Sequence, residues 1–157
     1  MLGLGLDRLR TEMNRLLNLL FNQGVLDEHF LQLRQLENDD CPNFVSDVVN
    51  IYFHESDKRL RHLRELLMEK ELVTDYKKMG MHLNQLLGSS SSIGAKRVTT
   101  VCMAFRSASH HNNRPRCLRA LEVLEEEYCY LSNKLHELLH LEQQHLLAVG
   151  IRYPIQN

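Results

Sequence analysis

The stretch His82-Leu83-Asn84-Gln85-Leu86-Leu87-Gly88-Ser89-Ser90-Ser91-Ser92-Ile93-Gly94-Ala95 admits two readings that lead to different molecules. Taken alone, the run Gly88 to Gly94 has the composition of a flexible linker, which would cut the chain in two. The residues before it read as a helix from about Thr74 through Leu87, because Leu72, Met79, Leu83 and Leu86 recur on one face. Asn84 lies about 120° around the helix from the centre of that apolar stripe and is expected in solvent. Gly80 and Gly88 stand four residues on either side of Asn84, with Lys77 and Ser91 seven residues away on the same line. Two glycines in that arrangement either mark helix ends or kinks, or clear a surface so that another backbone can approach Asn84 closely.

Working outward, the same helical period covers most of the 157 residues. Leu9, Met13, Leu16, Leu17, Leu20 and Phe21 follow Asp7, a plausible cap, and Gly24 ends the pattern. Asp27 can cap a short second helix carrying Phe30, Leu33 and Leu36, stopped by Pro42. Asn43 opens a long helix with Phe44, Val48, Tyr52, Leu60, Leu63 and Leu67 inward. After the site helix, another runs from about Gly94 to Ser109. His110, His111, Asn112, Asn113 and Pro115 form a connection. Cys117 to Ala148 then reads as one long helix with Leu121, Leu124, Tyr128, Leu131, Leu135 and Leu138 inward. Six helices result, and no strand of period two is visible.

Only three prolines, no tryptophan and 43% hydrophobic residues fit an all-α chain with an ordinary core. A net charge of −1 gives no global field toward nucleic acid or a membrane surface. The charge is uneven, however. Between Ile93 and Leu121 there are Lys96, Arg97, Arg106, Arg114, Arg116 and Arg119 and no acid. That run is either a solvated face offset by Glu122, Glu125, Glu126 and Glu127, or a surface that steers an acidic partner. Cys41, Cys102, Cys117 and Cys129 lack metal-site or redox spacing and read as free thiols. The N-terminal apolar run is six residues long, too short for a secretory or membrane segment. The expectation is a soluble intracellular protein.

The stretch from His82 to Ala95 resembles the signature of plant histidine-containing phosphotransfer proteins, a pattern close to HQLKGSSSSIGA. In that family the leading histidine accepts a phosphoryl group from one receiver domain and passes it to another. Here Asn84 stands at that position, and Leu87 stands where a phosphate-stabilising lysine is expected, while Gln85, Leu86 and Gly88 to Ala95 match. The likeness continues through Leu6–Leu17, Asn43–Phe53, Cys102–Ser109 and Leu141–Gly150. It is therefore similar to the pseudo-phosphotransfer subgroup linked to inhibition of cytokinin signalling.

The resemblance implies that the serines continue the helix to a tight turn near Gly94. It also implies one domain over 1–157, with N-terminal helices over about 1–42 and an antiparallel four-helix bundle over about 43–149. No catalytic residue, cofactor or metal is implied. The implied partners are receiver domains of hybrid histidine kinases and response regulators, met by a monomer in cytoplasm and nucleus. The expected docking residues are Lys77, Gly80, Asn84, Gln85, Gly88 and Ser91, with apolar support from Leu26, Phe30, Leu33, Val45 and Val49.

The chemistry of the replaced residues agrees with loss of transfer. An imidazole nitrogen offers a free lone pair to phosphorus, whereas the amide nitrogen of asparagine delocalises its pair into the carbonyl. Leu87, at i+3, cannot neutralise a phosphoryl group. His82 is turned about 160° from Asn84 and is not presented with it. Two other readings remain: a phosphocarrier that uses another histidine, or a metal enzyme built on His136-Glu137-Leu138-Leu139-His140, which matches HExxH. The latter lacks a third ligand and a dry cleft, because His136 and His140 fall on the side away from Leu131, Leu135 and Leu138.

Overall fold

The computed structural model describes residues 2–69 and 73–152. Its helices are α1 (Leu2–Asn22), α2 (Glu28–Gln35), α3 (Phe44–Met68), α4 (Tyr76–Ile93), α5 (Lys96–His110) and α6 (Arg114–Arg152). Leu72 of the expected apolar stripe lies outside the described residues. No strand occurs among the described residues, where β pairing is limited to isolated bridges.

Local chemistry accounts for most boundaries and corrects two. Helix α1 starts ahead of Asp7, so this residue is no cap; its carbonyl instead accepts from Thr11 Oγ1 at 2.8 Å. Leu6, Met13, Leu16, Leu17 and Leu20 are buried, and the chain turns away at Gly24 with φ +70°. Asp27 does cap α2, accepting from the His29 amide at 3.0 Å. Phe30 is buried there, whereas Leu36 follows the helix as its C-cap and is exposed. Pro115 is the second correction. It belongs to the first turn of α6, where no amide donor is needed, and Asn113 Oδ1 accepts from the Arg116 amide at 3.1 Å.

In α3 the buried set is Val45, Val49, Tyr52, Phe53, Ser56, Leu63 and Leu67, while the expected Phe44, Val48 and Leu60 are half-buried. The face is broader than one stripe because α3 packs against α2, α4 and α6 together.

Helices α3 to α6 form an antiparallel bundle in which each packs on its neighbours in turn. Cross-helix bonds fix the register. Tyr52 and Ser90 share a hydroxyl pair at 2.7 Å, Tyr128 donates to the Phe53 carbonyl at 3.2 Å, and Ser109 donates to the Tyr76 carbonyl at 3.2 Å. Helix α6 continues past the bundle, and α1 packs along it, tied by Tyr130 to Gln23 at 2.7 Å. Arg34 of α2 pairs with Glu142 of α6.

Candidate functional site

The serine run is helical to Ile93, so the linker reading fails, and the hydroxyls show why. Ser89 and Ser92 donate back to the carbonyls of Leu86 and Gly88, at 3.2 and 2.9 Å, along the helix rather than competing with it. Ser90 is wholly buried, and its small side chain lets Tyr52 of α3 reach it. Ser91 remains exposed.

The turn that follows is pinned from outside. Gly94 ends α4 in the left-handed region at φ +79°, its amide reaching the carbonyls of Ser90 and Ser91. A Cβ there would lie 2.6 Å from the Phe30 amide nitrogen and 2.7 Å from Asp27 Oδ1. The Asp27 amide donates to the Gly94 carbonyl at 2.9 Å, and the Lys96 amide donates to the Val25 carbonyl at 3.1 Å. The loop between α1 and α2 thus clamps the α4–α5 turn and fixes the height at which α4 presents its outer face.

On that face Asn84 is exposed together with Lys77, Gln85, Gly88 and Ser91, and Gly80 is half-buried. Both flanking glycines are interior to α4, so neither marks a helix end. A Cβ at Gly80 or Gly88 would meet nothing within 4 Å. The protein's own packing does not require either glycine, which leaves surface clearance as the physical consequence. Asn84, Lys77, Gly80 and Gln85 line an open depression of about 730 Å³, together with Asp75, Tyr76, Lys78, Met81 and His110.

The expected apolar support is corrected. Leu26, Phe30, Val45 and Val49 are between 0% and 2% exposed, and Leu33 is half-buried against the same core. The four buried residues hold α2 and α3 in place and offer no surface to a partner, and only Leu33 keeps part of its side chain exposed. The exposed apolar side chains near the site are Met81 and Met103, each three residues before one member of a polar pair, Asn84 and Arg106. Flexible thioethers suit an adaptable contact.

That pair was not legible in the sequence. Arg106 Nη1 of α5 donates to Asn84 Oδ1 at 3.1 Å. The guanidinium has no acceptor, so the amide oxygen must face it, and the Asn84 Nδ2 amino group is left as a surface donor. Leu87 is half-buried against the core and brings no charge, but a cation does reach the site from the neighbouring helix. Position 106 stood out only as one member of the acid-free basic run. The run itself divides. Arg97 pairs with Glu127 and Arg114 bonds the Leu67 carbonyl, while Arg106 turns to the site.

His82, expected away from Asn84, is buried at 4% exposure. Arg59 donates to its Nδ1 at 3.2 Å, which places the ring proton on Nε2. His62 stacks on it at 4.9 Å. Burial, followed by His62, Arg59, Lys78 and Lys58, lowers its pKa from the usual histidine value.

In the HELLH stretch, His136 and His140 are exposed. His136 is held in one orientation that leaves only Nε2 to a ligand. Its Nδ1 donates to the Ser132 carbonyl at 2.7 Å, and its ring stacks on Phe53 at 4.4 Å. Among the described residues no three His, Cys, Asp or Glu side chains converge as a metal site would need.

Comparisons with known proteins agree with this geometry. Residues 47–143 match the family described as the Hpt domain. The chain is 66% identical to pseudo histidine-containing phosphotransfer protein 6 of Arabidopsis thaliana, covering 99% of this chain and all of that one. It is 44% identical to histidine-containing phosphotransfer protein 1 of the same plant, over 84% of each. A crystal structure of a rice protein described as a histidine-containing phosphotransfer protein superposes with a TM-score of 0.83 at 37% identity, covering 90% of this chain and 99% of that one. The chain belongs to the Hpt-domain family, in the pseudo branch whose phosphoacceptor histidine is replaced, here by Asn84.

Proposed function

We propose that this protein docks receiver domains of hybrid histidine kinases and response regulators on the α4 face around Asn84, without accepting their phosphoryl group. It thereby competes with active phosphotransfer proteins and restrains two-component cytokinin signalling. The carrying observation is the combination at one exposed place. Asn84 stands at the acceptor position between two glycines whose clearance the fold itself does not use.

Asparagine fills roughly the space of the histidine while lacking its nucleophilic lone pair, so a docked receiver keeps its phosphoryl group. Each occupied receiver is withdrawn from authentic carriers in proportion to concentration over Kd. The protein would do this as a monomer, in cytoplasm and nucleus, where its receivers act.

Phosphoryl transfer from a labelled, phosphorylated receiver to this protein, run beside the Asn84→His, Leu87→Lys double variant, tests the reading. Label should appear on the variant alone. Label on the unaltered chain would assign phosphate to another histidine and end the decoy reading. A docking-competent chain should also slow transfer from that receiver to an active phosphotransfer protein as its concentration rises.

A further inference from the structure

The depression around Asn84 carries donors among its apolar walls, and Arg106 reaches its edge through Asn84. Arg106 Nη1 is held at 3.1 Å from Asn84 Oδ1, and this contact turns the amide so that its Nδ2 hydrogens remain for a partner. Lys77, Lys78 and His110 line the same depression. Its one acid, Asp75, caps the helix start, where Oδ1 accepts from the Lys78 amide at 3.0 Å, and is outnumbered by the two lysines. A neutral imidazole at position 84 could aim an acceptor nitrogen outward. The asparagine held by Arg106 aims hydrogen-bond donors, beside a guanidinium already oriented by that same bond.

A receiver presents one of two faces to this surface. Without phosphate it offers an aspartate carboxylate. Phosphorylated, it offers a dianionic group with three strong acceptor oxygens, which charged and amide donors bind more strongly than a single carboxylate. A ligand state is selected only through differential contacts, and in a receiver docked at Asn84 these donors would face the atoms that distinguish the two states.

We propose that, given docking at Asn84, the surface discriminates the state of its partner. The Asn84 amide and the Arg106 guanidinium bind the aspartyl phosphate of a phosphorylated receiver, so the protein holds phosphorylated receivers in preference to unphosphorylated ones. Arg106 is then a specificity-determining residue, and the loss of lysine at position 87 is offset by a cation from α5. No bond to phosphorus forms or breaks in this complex.

Calorimetric titration of the full chain with a receiver domain in magnesium buffer, with and without beryllium fluoride, measures the preference, because fluoroberyllate on the aspartate reproduces the phosphoryl group. The expected result is roughly tenfold tighter binding of the fluoroberyllate form, consistent with one or two charge-assisted bonds. Arg106→Gln should bring the two forms within about twofold of each other. Asn84→Asp, which turns a carboxylate toward the phosphoryl group, should do the same or reverse the order.

Equal affinity of the unaltered chain for both forms would overturn the preference while leaving docking intact. Full preference retained in Arg106→Gln would overturn the role of Arg106. Absence of binding to either form would overturn docking at Asn84, and this inference with it.

Discussion

The hydroxyls of Tyr52 and Ser90 meet at 2.7 Å between α3 and α4, with Ser90 fully buried and Tyr52 nearly so. This pair locks the serine run against the core and sets the rotation of α4 that carries Asn84 outward. Burial pushes the Tyr52 phenol well above its usual pKa, so it stays protonated and able to donate.

Tyr52→Phe leaves the Ser90 hydroxyl without its partner in a dry place, and Ser90→Ala does the same to the phenol. Each should destabilise the fold by about 1–2 kcal/mol in urea denaturation. The double variant should cost less than the sum of the two, because no orphaned group then remains. Additive losses would show that the pair does not act as a unit.

Glycine substitutions should divide by position. Gly94→Ala forces a side chain into the left-handed region and against the Phe30 amide nitrogen at 2.6 Å, costing about 2–4 kcal/mol. Gly80→Ala and Gly88→Ala meet no atom and sit inside a helix, so each should raise stability by roughly 0.5–1 kcal/mol. A bulkier residue at Gly88 should leave helicity unchanged and abolish receiver binding. Unchanged binding would remove this face from the docking reading.

His82 gives the fold a pH dependence of definite sign. Its folded pKa lies below the unfolded value of about 6.5, so between the two the unfolded chain holds more protons. Stability contributed by His82 is therefore present above about pH 6.5 and is lost as pH falls toward the folded value. The urea midpoint should drop between about pH 7.5 and about pH 5.5, and the drop should be smaller in His82→Gln. Identical slopes in the two proteins would assign the effect to other histidines.

The HELLH spacing should prove inert toward zinc. The Nδ1 bond to the Ser132 carbonyl and the stacking on Phe53 fix the His136 ring and leave only Nε2 for a metal, and among the described residues no third ligand converges with it. Equimolar zinc should leave Tm unchanged in the parent and in Glu137→Gln. A zinc-dependent rise in Tm, lost in His136→Ala, would revive a metal site there.

Some of the site could be read directly from residue order. The exposure of Asn84 followed from the phase of Met79, Leu83 and Leu86, and the cap at Asp27 from its type and place. The expectation for Leu26, Phe30, Val45 and Val49 failed for a specific reason. An apolar residue near a functional face reads alike whether it supports that face from beneath or forms it, and burial alone separates the cases. Arg106 was visible only as one cation among six in a basic run, and its reach to Asn84 depends on how α5 is rotated against α4.

The sequence by itself determined most of the helices and the exposure of Asn84, because helical period and capping chemistry act within a few residues, while the likeness to the family added that this exposed place is where a phosphoacceptor histidine is expected. Only the tertiary structure decided that Gly94 is clamped by Asp27, that His82 is buried under His62, and that Arg106 reaches Asn84. Those pairings join residues up to 67 apart, 94 against 27, and rest on the packing angles and heights of whole helices, which no local pattern specifies.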